Sequence, residues 1–283
     1  MVTLDREEYI EQAYFFRVLR ERMAEGQAAQ TVLERIDQEI LSTTRLPMAV
    51  QFLAVELKHS GQLSSGFARL AHYFTPFQAF VVAGSEEVNR RFSAESAMLV
   101  LEREAEYRAG SVSPAGLFVY QFEVLSRNRL GYDGGLRAMA ADGYYDPAWK
   151  DFLGTVRAQV GLIDFADLVY ARSALYTLEQ RRHDPDYAPV APVLFGEKEG
   201  KIARANRGRD PLYLFAALQR QLGYPEVPRP RPREDVGAKV EALQTKLRDL
   251  EQRLKLLEAE TRGQIDLSKL GKPDLLKDGP DPW

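Results

Sequence analysis

The chain contains no cysteine, only three histidines (His59, His72 and His183) and two tryptophans among its 283 residues. Without cysteine there is no disulfide framework, no thiolate nucleophile, no iron–sulfur cluster and no Cys-ligated zinc. Three scattered histidines are too few for a His-rich metal centre, so no metal and no cofactor is expected. Long hydrophobic runs are missing as well. The most apolar stretches, residues 77–83 and 117–125, fall far short of the ~20 residues a spanning helix needs. The opening Met1-Val2-Thr3-Leu4-Asp5-Arg6-Glu7-Glu8 lacks the apolar core of a secretory signal. The expectation is a cytoplasmic protein without membrane association, and the lack of Cys fits a reducing compartment. Catalytic signatures are absent too. There is no Gly-x-Ser-x-Gly elbow. Gly131-Tyr132-Asp133-Gly134-Gly135 lacks the lysine and the preceding strand of a phosphate-binding loop, and reads as a helix-to-helix turn. No reaction can be assigned, and the balance leans away from an enzyme.

Charge of one sign is scarce overall, with 38 Lys+Arg against 41 Asp+Glu. That balance conceals an uneven distribution. Residues 1–197 carry 20 basic and 27 acidic side chains, residues 198–233 nine against three, and residues 234–283 nine against eleven. The middle segment is the basic one.

What is present is helical periodicity. Tyr9, Ala13, Phe16, Leu19 and Met23 recur at spacings of three and four, and Gly26 stops that helix. Leu33, Ile36 and Ile40 continue the period in a second helix. Pro47 opens a third, in whose first turn its missing N–H costs nothing; Met48, Phe52 and Val55 are its apolar stripe, and Gly61 ends it. Shorter pieces follow at 67–74 and from Pro76. Ser93 is an N-cap with Glu95 suiting the dipole, and Met98, Leu101 and Ala105 carry that face. Ser113-Pro114 opens the next helix, whose stretch 117–125 is apolar nearly all round and predicts a buried central helix. Leu130-Gly131-Tyr132 and Leu222-Gly223-Tyr224 each place glycine where a left-handed residue closes a helix. Asp146-Pro147 and Asp164 start two more helices. After Arg182 the character changes to loop. Val193-Leu194-Phe195 and Lys201-Ile202-Ala203 around Gly196–Gly200 suggest a small hairpin, and Asp210-Pro211 opens a helix through Leu222. Prolines 225, 228, 230 and 232, alternating with arginines from Pro228, favour extended polyproline II.

The expected class is all-α. A multi-helix body spans 1–182, a small basic subdomain with a hairpin and a helix 183–223, a Pro/Arg linker 224–235, a parallel coiled coil 236–262 and a flexible tail 263–283. The coiled coil rests on Val236, Val240, Leu243, Leu247, Leu250, Leu254 and Leu257, an uninterrupted series with alternating spacings of four and three. With Val240, Leu247 and Leu254 at a, the g residues are Lys239, Lys246 and Arg253 and the e residues Gln244, Glu251 and Glu258. A parallel pair sets Lys246 against Glu251 and Arg253 against Glu258. An antiparallel pair sets base against base and acid against acid. The protein's expected partner is therefore itself, as a parallel dimer, with a trimer left open. An amphipathic helix folded back on its own body is the competing reading; the narrow a/d stripe argues against it.

Other candidates carry less. Glu56-x-x-His59 is half of a di-iron motif with no second copy, so His59 reads as a cation at a helix C-terminus. Glu123 and Gln121 read as the solvated edge of a buried helix, with a buried acid–amide pair as the alternative. Glu102, Glu104 and Glu106 point three ways on a helix and read as solvated surface. Lys198, Lys201, Arg204, Arg207 and Arg209 are suited to an anion or an acidic partner. They can neutralise phosphates of a nucleic acid or dock on the chain's own acidic body, and pI ≈ 5.8 favours docking. Together these readings describe a non-enzymatic, self-associating scaffold or adaptor. The coiled coil would supply valency and the body would recognise an unidentified protein partner. The alternatives are a nucleic-acid-associated protein using 198–233, and a helical small-ligand binder or enzyme.

Overall fold

The computed structural model describes residues 4–87, 92–229 and 236–261. They form fourteen helices and no strand beyond two isolated bridges, Val160 to Ile163 and Ser173 to Phe195. The chain divides into two compact units, Met1–Pro230 and Arg231–Trp283. None of the helices is long and apolar enough to cross a membrane, among the described residues.

The first unit begins with α1 (Arg6–Ala24), α2 (Ala29–Ile36), α3 (Leu46–Ser60), α4 (Leu63–Arg69), α5 (Pro76–Glu86) and α6 (Ala94–Ala109). Helix α1 lies along α6 and buries Phe15, Phe16 and Leu19 completely. Phe16 meets Phe67 and Phe74, which stack at 4.1 Å. Side chains this size contribute ~1.5–3 kcal/mol each on burial, so one aromatic cluster ties α1, α4 and the turn before α5. The unit continues with α7 (Pro114–Asn128), α8 (Tyr132–Ala140), α9 (Pro147–Gln159), α10 (Phe165–Ala171), α11 (Ala174–His183), α12 (Glu197–Ala205) and α13 (Pro211–Leu222). As expected, α7 is buried along the whole of 116–125. Phe118 on it gathers Trp149, Phe152, Phe165 and Phe195 within 6.1 Å.

Helix starts follow the polar residues that precede them. Ser93, Ser113, Asp146, Asp164 and Asp210 each accept a first-turn N–H, satisfying a donor that the helix leaves unpaired. Thr75 and Gln78 add a reciprocal capping box at α5. Gly61 and Gly223 close α3 and α13 in the left-handed conformation, at φ 71° and 67°.

Several expectations are corrected. Helix α7 closes on Arg129, left-handed at φ 53°, not on Gly131, which opens α8 at φ 90°. Leu130 then returns its N–H to Leu125 O at 3.1 Å and is buried, which holds an arginine where glycine is usual. Ile40 is buried in a turn beyond the end of α2. The row Met48, Phe52, Val55 is not the inward face of α3; Leu46, Ala49, Val50 and Leu53 are. The hairpin around 193–203 is instead helix α12, opened by Gly196 with Glu197 and Glu199 in its first turn. Nor do residues 183–223 stand apart as a subdomain. Phe195, Phe215 and Leu218 are core residues of the first unit. The Pro/Arg linker starts later than 224: Tyr224 and Val227 are 3% and 2% exposed. Tyr224 donates to Glu123 at 2.7 Å and Arg103 to Glu226 O. Residues 230–235 and the expected tail at 263–283 lie outside the described residues.

In the second unit a single helix, α14, spans Val236–Thr261.

Candidate functional site

On α14, Leu243, Leu247, Leu250, Leu254 and Leu257 are between 58% and 63% exposed. Their spacing places them on one face, and Leu243, Leu247, Leu250 and Leu254 are exposed there. The side chains of Val236 and Val240 lie outside the described residues.

The basic side chains of 198–209 are mostly paired within the first unit. Lys201 bonds Glu197 at 2.6 Å within α12. Arg204 reaches Glu179 of α11. Arg207 meets Asp167 of α10 at 2.5 Å and lies 4.1 Å above the Tyr170 ring. The Tyr170 hydroxyl, followed by Arg204, holds the Glu179 carboxyl below its usual range. These are exposed or half-exposed pairs that contribute little to stability, but they place two of the five candidate cations on acids of other helices. Arg209 is exposed and in no ion pair among the described residues.

The remaining candidates resolve as structure. Glu56 is turned inward and takes Ser65 Oγ at 2.7 Å and Arg69, while His59 is exposed. No group of three His, Asp or Glu among the described residues could hold a metal. Gly134 and Gly135 serve close packing: a Cβ at Gly134 would sit 2.9 Å from the Phe80 ring, and one at Gly135 2.4 Å from Leu125. An open apolar hollow of about 510 Å³ between α4 and α5 is lined by Phe67, Ala68, Ala71, Phe74, Ala79 and Phe80. Its rim groups Ser64, Ser65 and Thr75 are already bonded to Glu86, Glu56 and Gln78, so they do not converge on a ligand.

Glu102 and Glu104 of α6 and Glu123 of α7 are the acids that the sequence reading misplaced, while Glu106 is exposed as expected. Glu102 is 7% exposed and takes Arg20 at 2.9 Å; Glu104 is 0% exposed. Glu104 Oε1 accepts from Arg108 Nη2 at 2.9 Å and Nε at 3.1 Å, and from Gln121 Nε2 at 2.8 Å. Tyr145 donates to Gln121 at 2.8 Å, and Arg108 also binds Asp142 at 2.5 Å. Glu104 Oε2 has no hydrogen-bond partner. Burial pushes the Glu104 carboxyl above its usual range, against the pull of Arg108. Burial would depress the Arg108 guanidinium, but Glu104 and Asp142 outweigh it and hold its pKa above the ordinary value. Gln121 is thus neither at a solvated edge nor paired with Glu123, which bonds Arg127 and Tyr224 instead. With its side chains buried, the cluster cannot meet a substrate where it stands; it ties α6, α7 and the turn after α8. A single amide and a single acid inside the apolar run 117–125 were the available signal for it.

No family model matches the chain, and neither the curated proteins nor the solved structures contain a significant match.

Proposed function

We propose that the protein is a non-enzymatic, self-associating scaffold or adaptor, a parallel dimer through α14 that recognises a protein partner with its helical first unit. Leu243, Leu247, Leu250 and Leu254, each more than half exposed on one face of α14, carry this reading. Each leucine contributes ~1.5–3 kcal/mol when fully buried, and a partner helix in register buries all of them together. Lys246 opposite Glu251 and Arg253 opposite Glu258 favour a second copy in parallel. Such an assembly doubles whatever the first unit binds, and linked copies hold a divalent target far longer than one copy does. The basic segment 198–209 has a place in this scheme as internal fastening, since Arg204 and Arg207 pair with Glu179 and Asp167.

Light-scattering mass of the full chain, beside a Leu247→Glu/Leu254→Glu variant, tests it. The expected result is a dimer for the native chain and a monomer for the variant, with unchanged helix content in the first unit. A monomeric native chain, or a variant of unchanged mass, overturns the reading.

A further inference from the structure

We infer that the outward face of α3 is the docking surface for an acidic amphipathic helix of another protein. This deepens the adaptor reading and rests on it, since it names where the first unit takes its partner.

From Leu46 to Val55 the one polar residue is Gln51. A helix segment this apolar is expected to be covered on most of its sides. Here the first unit covers one side, over Leu46, Ala49, Val50 and Leu53. The opposite row, Met48, Phe52 and Val55, is spaced i, i+4, i+7 and runs ~10 Å along the helix. Met48 is 69% and Val55 57% exposed. Phe52 is half-buried, with the Arg69 guanidinium 5.2 Å from its ring centre. A row of this length matches two turns of a facing helix, the geometry by which helices in grooves are read.

The charges around the row choose the partner. Arg45 precedes the helix, Lys58 occupies its last turn and Arg69 flanks Phe52; all three are exposed. Arg45 and Lys58 are in no ion pair among the described residues. The helix's one acid, Glu56, is inward and bonded to Ser65 and Arg69. Asp37, which accepts Gln51 Nε2 at 2.9 Å, is an acid on this side. An apolar strip with a basic border complements a helix with an apolar strip and acidic flanks, and a contact two turns long stays within that border, although residues 1–197 as a whole carry 20 basic and 27 acidic side chains. A second copy of α3 would bring like charges together. An anionic membrane would meet the surplus acid of the surrounding surface.

The probe is a fluorescent synthetic helix of about 16 residues, with leucines at i, i+4 and i+7 and glutamates on both flanks. It is titrated with the full-length protein beside a twin carrying lysines in place of the glutamates. The same titrations use a Met48→Glu/Val55→Glu variant, whose fold is checked by its melting curve, and vesicles of phosphatidylcholine with phosphatidylserine. The acidic peptide is expected to bind saturably and less tightly as salt rises. Binding should weaken by about tenfold or more for the lysine twin and for the variant. Absence of binding, equal binding of both peptides, an unaffected variant or preferential binding to the vesicles overturns the proposal. So does a fall in the light-scattering mass of the Met48→Glu/Val55→Glu variant, which would make the occupant a second copy. The α14 leucine variant reports on self-association independently, so failure of the adaptor reading is seen in mass and failure of this surface in peptide binding.

Discussion

Replacing Arg108 by Met should be among the most damaging single changes in the first unit. The Arg108 side chain is 2% exposed, between Glu104 at 0% and Asp142 at 4%. Its guanidinium lies 5.9 Å from the Tyr9 ring centre and 5.7 Å from that of Tyr144. Methionine fills much of the volume but leaves two carboxyl groups facing each other without a cation. Breaking a buried ion pair from one side costs about 3–5 kcal/mol, because the surviving charge stays desolvated. In a unit of this size that is a fall in melting temperature on the order of 10 °C. The loss should depend on pH in a defined direction. Burial already raises the Glu104 pKa, and Arg108 is what opposes it; without the guanidinium the pKa rises further. A carboxyl whose folded pKa exceeds its unfolded one stabilises the fold when protonated, and that contribution is lost as pH rises through the folded pKa. Acidification from about pH 7 to about pH 5 should therefore narrow the gap between variant and native chain. Adding Glu104→Gln should recover part of the loss at neutral pH. Urea titrations followed by circular dichroism at the two pH values measure all of this. A loss below about 1 kcal/mol, or a gap that stays constant or widens on acidification, would refute the reasoning.

Two further changes probe the joints of the later helices. Gly200→Ala should destabilise by about 1–3 kcal/mol despite alanine's better helix propensity. The added Cβ would lie 2.4 Å from Ser173 Oγ and 2.8 Å from the Cβ atoms of Ser173 and Leu175, and a thermal melt reads the result. Tyr224→Phe removes the hydroxyl held 2.7 Å from Glu123 and 3.0 Å from Phe215 O. It should cost about 1–3 kcal/mol and raise amide exchange at 224–229; native-like exchange there would show that the segment is held by other contacts.

How much of this was legible in the sequence depended on whether the information was local. Ser93, Ser113, Asp146 and Asp164 announce their helices because a cap and its first turn are neighbours in the chain. The central helix was readable from 117–125 because seven apolar residues out of nine, between helical neighbours, have to be buried. The inward side of α3 was not readable, for the opposite reason: with Gln51 the one polar residue from Leu46 to Val55, periodicity has little to choose by. The Gly196–Gly200 stretch mimicked a turn because glycines and charges suit a hairpin tip as well as a tightly packed helix start; contact with Ser173 decides between them, and it is 27 positions away in the chain. Glu104 read as surface because Gln121, which donates to it, comes from another helix, and the periodicity of α6 does not show that meeting.

The first helix has a consequence for the order in which the chain is completed. Its inward acids and amide find partners far downstream: Glu11 holds Leu41 N at 2.9 Å, Glu8 holds Arg45 N at 2.8 Å and Tyr73 Oη at 2.7 Å, and Gln12 accepts from Gln78 at 3.1 Å. Its apolar flank needs α6, which ends at Ala109. During synthesis α1 thus emerges well before the residues that satisfy it. Until the sixth helix emerges, Glu8 and Glu11 are best left in water, and Phe15 and Phe16 must wait beside them uncovered. The N-terminal half of the body closes from its own beginning, once the chain returns to it.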